Sequence, residues 1–155
     1  MALQAKVITV SDGVAEGVRE DRSGAALADR LVAAGFEVVE RSVAADGIAS
    51  VAQALTEAAR AFDGLVVTTG GTGFGPRDLT PEGTRSVLER EAPGLAEAMR
   101  SVSALGRLSR GSAGTLGGAL VLNTPGSTTG AVECLEAVLD VLPHALDLLA
   151  GGRPH

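Results

Sequence analysis

An α/β fold is predicted, with one mostly parallel sheet held between two layers of helices. Three observations carry this. Short β-branched runs alternate with segments of helical periodicity. The runs are apolar at consecutive positions, as strands buried on both faces are. Most of them end in a cluster of Gly, Ser, Thr, Asn or Asp. Repeated strand–helix units of this kind give a parallel sheet covered on both sides.

Lys6–Ser11 is the first strand. Asp12 to Arg22 is polar, contains glycine and reads as a loop. Ser23 is expected to cap a helix with Leu27, Leu31 and Ala34 on its apolar side, ended by Gly35. Phe36–Val43 is the second strand. Asp46 is expected to cap a second helix, with Ile48, Val51, Ala52, Leu55, Ala58, Ala59 and Phe62 at helical spacing and Gly64 closing it. Leu65–Thr69 is the third strand, followed by a glycine-rich loop to Leu79. Thr80 is expected to cap a third helix, with Pro81 at its first position. After Pro93-Gly94 a short helix covers Leu95 to Ala104. Leu105 to Gly118 has no periodicity that decides between elements. Ala119–Asn123 is another buried strand and Thr124–Ser127 a turn. From Thr128 a long helix runs towards Leu142, and Pro143 to Leu149 completes its last turns. Residues 150–155 are expected to be a frayed tail. No repeat, linker or low-complexity stretch divides the chain, so residues 1–155 read as a single domain.

Composition narrows the function. Apolar residues make up 45% and charged residues 21%, which is ordinary globular usage. The net charge is −6, Lys6 is the only lysine, and there is no Trp or Tyr. A nucleic-acid partner would call for a basic stripe and stacking aromatics, so none is expected. Any phosphate must be held by local N–H groups, a few arginines or a metal, against a repelling overall field. Cys134 stands alone, which excludes an intrachain disulfide, and its apolar setting predicts core rather than nucleophile. Two histidines and one cysteine build neither a metal cluster nor a Ser-His-Asp arrangement. No run is apolar for long enough to span a bilayer. A soluble cytoplasmic protein with no membrane partner is expected.

In an open parallel sheet, ligands bind beyond the carboxyl ends of the strands. There this chain gathers Ser11-Asp12-Gly13, Ala45-Asp46, Thr69-Gly70-Gly71-Thr72-Gly73 and Asn123-Thr124-Pro125-Gly126-Ser127. Gly70 to Gly75 holds four glycines between a strand and a helix. It lacks the Gly-Lys-Ser/Thr ending of a P-loop, and Pro76 stands where a dinucleotide fingerprint has its last glycine. Two readings stand level: a loop that turns N–H groups to an anion, or a turn that lets helix and strand pack closely. Asp78 is favoured by a helix start for its charge alone, and equally suits a Mg ion bridging phosphate oxygens. Asp12 and Asp46 at neighbouring strand ends can share that task.

Ile8-Thr-Val-Ser-Asp12, Asp21-Arg-Ser-Gly24, Thr68-Thr-Gly-Gly-Thr-Gly73, Arg77-Asp-Leu-Thr-Pro-Glu82, Pro93-Gly94 with Glu97-Ala-Met-Arg100, and Leu122-Asn-Thr-Pro-Gly-Ser127 come in the order found in one family. Over nearly its whole length the chain resembles the MoaB/Mog family of molybdenum cofactor biosynthesis proteins, and it is similar to the gephyrin G domain. The resemblance implies a three-layer, molybdopterin-binding-domain-like α/β fold. It further implies a homotrimer or dimer of trimers, with molybdopterin and ATP as ligands and the molybdate-insertion protein as a partner. The activity it implies is a molybdopterin adenylyltransferase, which transfers AMP from Mg-ATP to the terminal phosphate of molybdopterin and releases pyrophosphate. The alternative is a non-catalytic molybdopterin-binding module of the same family; a related fold also occurs in competence-damage-type domains that act on other nucleotides. Carried over, Asp46 and Asp78 match the acidic positions associated with catalysis and with Mg2+. Gly71, Thr72 and Gly73, entered through Thr69 and Gly70, match the loop at the phosphate. Ser11 and Asp12 match the first-strand site, Pro125, Gly126 and Ser127 the last-strand turn, and Arg77 is a candidate for charge neutralisation. Four positions at three places depart from the pattern. Gly13 stands where many relatives carry arginine, and Gly117-Gly118 where polar residues are common. Gly83 replaces a frequent alanine, at a helix cost of about 1 kcal/mol at most.

Overall fold

Six strands, β1 (Leu3–Val10), β2 (Phe36–Ala44), β3 (Leu65–Thr69), β4 (Arg90–Glu91), β5 (Ala113–Leu116) and β6 (Ala119–Thr124), form one sheet in the order β2-β1-β3-β6-β5-β4. The structure is a computed structural model, and it describes residues 2–152. The first four strands of that order run parallel; β5 and β4 add an antiparallel edge. The mostly parallel sheet is therefore as expected. Of these two edge strands, β5 falls in the stretch that showed no periodicity, which also carries most of a 3-10 turn over Ala104–Leu108.

Among the described residues seven helices cover the sheet: α1 (Asp12–Ala15), α2 (Arg22–Ala33), α3 (Ile48–Ala59), α4 (Thr80–Arg85), α5 (Pro93–Arg100), α6 (Thr128–Glu136) and α7 (Leu142–Leu149). The strands sort them by alternation. Ala5, Val7, Leu65, Val67, Leu120 and Leu122 face one way and pack with Leu27, Leu31, Met99, Leu135, Leu142 and Leu146 from α2, α5, α6 and α7. Ile8, Val10, Val66, Ala119 and Val121 face the other way and pack on Val51, Leu55, Ala58 and Phe62 in and just after α3. Two separate cores on one sheet give the three layers.

Several helix ends differ from expectation. Residues 12–15 form a helical turn rather than a loop, capped by Ser11, whose Oγ accepts from the Val14 N–H at 3.3 Å. Asp21, not Ser23, caps α2: its Oδ1 accepts from the Gly24 N–H at 3.0 Å and from the Thr9 hydroxyl at 2.8 Å. Ala34 is the exposed C-cap of α2 rather than part of its apolar side. The N-cap of α3 is Gly47 at φ +122°, with no side-chain cap, because the Asp46 carboxylate is engaged elsewhere. That helix ends at Ala59; Gly64 instead lies so close to β1 that a β-carbon would stand 2.6 Å from the Gln4 carbonyl. Thr80 is the first residue of α4 and Leu79 its N-cap, with no side-chain capping bond.

The long C-terminal helix is two helices. Pro143 has no N–H to offer the Leu139 carbonyl, and the chain turns between Glu136 and Leu142. Residues 150–152 are not frayed. Gly151, at φ +88°, donates to the Leu148 carbonyl at 3.0 Å and Gly152 to that of Asp147 at 2.9 Å, closing α7 with a Schellman motif. The rest of the expected tail, residues 153–155, lies outside the described residues.

Gly83 marks where α4 meets α3. A β-carbon there would stand 2.7 Å from Val51 Cβ and 2.9 Å from the Ile48 carbonyl oxygen. Gly83→Ala gains about 1 kcal/mol of helix propensity but forces two helices apart, an overpacking cost of about 1–3 kcal/mol. A lower urea midpoint at unchanged slope is expected; a raised midpoint would show that α3 yields freely.

Candidate active site at the carboxyl ends of the parallel strands

From β1 the chain crosses to β2 on one side, then to β3 on the other. The crevice lies where that direction reverses, as it does in open parallel sheets generally. A cavity of about 1360 Å³ opens there. Ser11, Asp46, Thr69, Gly70, Gly71, Thr72, Gly73, Asp78, Pro125, Gly126 and Ser127 all line it. Asp12 and Arg77 do not. The α2 start, Asp21 to Ser23, also reaches its wall.

Both readings of the glycine-rich loop have a part in its shape. Gly70, at φ +104°, donates to the Thr124 carbonyl at 3.0 Å, and any side chain on it would collide with the Val10 carbonyl. Gly71, at φ +70°, leaves no room for a side chain beside the Thr80 hydroxyl. These two glycines are needed for close packing. Gly75 serves the site instead: its N–H donates to Asp78 Oδ2 at 2.9 Å, and a β-carbon on it would stand 2.8 Å from that oxygen. Thr69 Oγ1 donates to the Pro125 carbonyl at 2.8 Å, joining this loop to the one after β6. Ser127 caps α6 by accepting from the Gly130 N–H at 3.1 Å.

The carboxylates fall into two kinds. Asp12 is matched by Arg77, whose Nε and Nη2 donate to its two oxygens at 3.0 and 3.1 Å. Those bonds hold the Asp12 carboxyl below its usual range. Arg77 Nη2 also donates to the Asp46 carbonyl at 2.9 Å. Arg77 is thus spent on the protein's own groups rather than aimed into the cavity. Asp46 and Asp12 grip each other through their backbones: the Asp12 N–H donates to Asp46 Oδ2 at 3.0 Å, and the Asp46 N–H to Asp12 Oδ1 at 3.1 Å. Burial pushes the Asp46 carboxyl up; the Asp12 N–H opposes this, and the like charges of Asp12 and Asp78 add to it. Among the described residues, no three His, Cys, Asp or Glu side chains gather into a metal-binding group. Asp46 and Asp78 both line the cavity.

Farther along, the wall turns apolar with Val14, Val18, Leu105 and Leu108. Arg19 lines it too, its stem lying over Gly13, where a β-carbon would come within 3.1 Å of its Cδ. Cys134 sits at the cavity floor, with its thiol donating to the Met99 carbonyl at 3.4 Å. Burial pushes its pKa up to about 11, so it stays a thiol, as its apolar setting predicted.

Sequence reasoning missed two supports. Asn123, 2% exposed, donates from Nδ2 to the hydroxyls of Thr68 and Thr84, both at 3.0 Å, and accepts the Ser112 N–H at 3.0 Å. Arg110 bonds the glycine-rich loop from outside through Gly73 and Asp78 carbonyls. The only signal for Asn123 was a polar residue closing an apolar run. For Arg110 there was none, in a stretch without periodicity.

Residues 6–144 match the family described as probable molybdopterin binding domain. The chain is 38% identical over 152 residues to a molybdopterin adenylyltransferase of Helicobacter pylori (strain J99), covering 94% of this chain and 86% of that protein. Its structure is similar to that of the molybdopterin biosynthesis enzyme MoaB from Thermus thermophilus, with TM-score 0.90, 45% identity, and 96% and 97% of the two chains covered. It is also similar to the molybdopterin biosynthesis Mog protein from Mycobacterium ulcerans, with TM-score 0.88, 40% identity, and 96% and 99% covered. The sheet, the cavity at its switch point and these likenesses agree: the chain belongs to the MoaB/Mog family of molybdopterin-binding domains of molybdenum cofactor biosynthesis.

Proposed function

We propose that the chain is a molybdopterin adenylyltransferase, joining AMP from Mg-ATP to the terminal phosphate of molybdopterin. The observation that carries this is the pairing of two carboxylates, Asp46 and Asp78, with the glycine-rich loop in one cavity. The adenylyltransferase name of a 38% identical relative supports the same reading.

In this reaction an oxygen of the molybdopterin phosphate attacks the α-phosphorus of ATP. A new P–O bond forms, the bond to the oxygen bridging the α- and β-phosphorus breaks, and pyrophosphate leaves with that electron pair. The nucleophile is already anionic, so alignment and charge neutralisation matter more than a strong base. The residues present fit Mg2+. Burial first, and the like charges of Asp12 and Asp78 after it, push the Asp46 carboxyl up against the opposing Arg77 charge, and a cation beside it would relieve both. The Thr80 hydroxyl is buried without a hydrogen-bond partner beside Gly71, and a β-carbon on Gly71 would stand 3.2 Å from Asp46 Oδ1. Asp46 and Asp78 would hold the ion, with phosphate oxygens and water completing its shell. When bound, it supplies positive charge to the phosphate oxygens. The chain itself holds the carboxylates in place through the Asp12 and Gly75 N–H groups.

The same reading includes a cytoplasmic enzyme working as a homotrimer or dimer of trimers, which hands its product to a molybdate-insertion protein. Val39 and Val43, exposed on the edge strand β2, leave apolar surface for a second copy. Among the described residues no helix is long and apolar enough to cross a membrane.

Pyrophosphate release from Mg-ATP with molybdopterin is the direct test. Release that depends on the pterin and falls about 100-fold or more in Asp78→Asn is expected. Tight molybdopterin binding with no release by the folded wild type would leave a non-catalytic binding module. The electrostatics of Asp46 give a second outcome. Its carboxyl is raised above 3.8 in the folded chain, so the folded state keeps that proton to higher pH than the unfolded state. Near neutral pH the ionised group therefore opposes folding, and this penalty disappears as pH falls through the raised value. Asp46→Asn should raise Tm by a few degrees at pH 7, the gain closing in acid, while pyrophosphate release is lost. A lower Tm at pH 7 would mean that the carboxylate's bond to the Asp12 N–H outweighs its burial.

A further inference from the structure

The loop between β3 and α4 contains four glycines and little of its own to fix it. Asp78 N–H donates to the Gly75 carbonyl and Thr80 N–H to that of Gly71, both at 3.0 Å. The loop's two ends are tied by the Gly70 N–H, which donates to the Thr124 carbonyl, and by the Arg77 side chain, which bonds Asp12 and the Asp46 carbonyl. The stretch from Thr72 to Asp78 is held besides by Arg110, which stands just before β5 and does not line the cavity. Its backbone N–H donates to the Thr72 carbonyl at 2.9 Å. Its Nε donates to the Gly73 carbonyl at 2.8 Å and its Nη2 to the Asp78 carbonyl at 2.6 Å. Its Nη1 is anchored on Glu82 Oε2 at 2.6 Å, in the first turn of α4. One rigid, permanently charged fork thus spans both arms of the loop.

In a trans peptide the N–H points opposite to the C=O. Capturing the carbonyls of Thr72, Gly73 and Asp78 turns the N–H groups of Gly73, Phe74 and Leu79 away from Arg110. Thr72, Gly73 and Asp78 line the cavity while Arg110 stands behind them. Pinning the Asp78 carbonyl also fixes the backbone from which its carboxylate reaches back to the Gly75 N–H.

We infer that Arg110 is a positioning residue that aims the loop N–H groups and the Asp78 carboxylate at the phosphates of the bound nucleotide. This rests, for the identity of the ligand, on the adenylylation reading. A lysine at 110 keeps the charge, but its three donors radiate from one nitrogen, whereas the contacts to Gly73, Glu82 and Asp78 use three separate nitrogens of the fork.

The test compares wild type, Arg110→Lys and Arg110→Ala by amide hydrogen exchange and by the kinetics of pyrophosphate release with Mg-ATP and molybdopterin. Removing the fork should speed exchange about tenfold or more within residues 72–79 and leave β1, β3 and β6 protected. Mg-ATP KM should rise and kcat fall by about tenfold each in Arg110→Ala, with the lysine variant between. An arginine that only supports the fold would instead speed exchange across the whole sheet, with KM unchanged and kcat scaling with the folded fraction. That pattern overturns the inference, as does unchanged exchange at residues 72–79. If Arg110→Ala does not fold, the lysine variant carries the same comparison. A wild-type chain that releases no pyrophosphate defeats the adenylylation reading alone. The exchange pattern then decides the positioning role: local acceleration upholds it, and uniform or absent acceleration overturns it.

Discussion

The side-chain amide of Asn123, buried where β6 meets β3, uses both of its ends at once. Its nitrogen bonds the hydroxyls of Thr68 on β3 and Thr84 on α4, and its oxygen takes the N–H of Ser112 at the entry to β5. Beside it, Thr124 Oγ1 donates to the Thr68 carbonyl at 2.8 Å. A polar group buried this deeply costs stability unless satisfied, and a slip in strand register would leave these groups unpaired. The network therefore fixes how β3 stands against β6 and how α4 seats below them. That register pairs Thr69 with Thr124, so the Gly70 and Pro125 loops leave the sheet side by side. The contact between these two cavity walls follows from it.

On the adenylyltransferase reading, a chain of net charge −6 must gather phosphates against its own field. The site resolves this by keeping its charges apart in function. Arg77 and Asp12 cancel each other and brace Asp46. Arg110 and Glu82 cancel likewise behind the loop, the Arg110 bonds holding the Glu82 carboxyl below its usual value. What remains facing this part of the cavity is Asp46 and Asp78, with the glycine-rich loop beside them. On the same reading, such an arrangement suits an anion that arrives with a divalent cation rather than a bare one. The cost falls on the empty protein, in which Asp46 is partly buried among like charges.

The central strands were legible because short runs of Val, Leu, Ile and Thr buried on both faces have few other solutions. The location of the site was legible for a related reason: parallel strands deliver all their carboxyl ends to one edge. Caps were not, because the choice among neighbouring Asp and Ser residues is made by distant partners. Asp21 displaces Ser23 since Thr9 donates to it, and Asp46 leaves α3 uncapped since the Asp12 N–H claims it. The edge strands β4 and β5 are two and four residues long, too short to show a period. Arg110 was invisible for a different reason. Its partners are backbone carbonyls 37 and 32 residues away, and a carbonyl has no signature in sequence.

Close packing or turn geometry accompanies each of the three departures from the family pattern. Gly83 lets α4 lie against α3. Gly117, at φ +60°, and Gly118 make the two-residue turn that joins β5 to β6, where a side chain on Gly118 would collide with the Asp63 carboxylate. Gly13 leaves room for the stem of Arg19, which brings a cationic side chain to the cavity wall from six residues downstream. None of the three touches Asp46, Asp78 or the loop that Arg110 holds. The two carboxylates are held by the Asp12 and Gly75 N–H groups, so a side chain added or lost at these three places leaves their anchors in place.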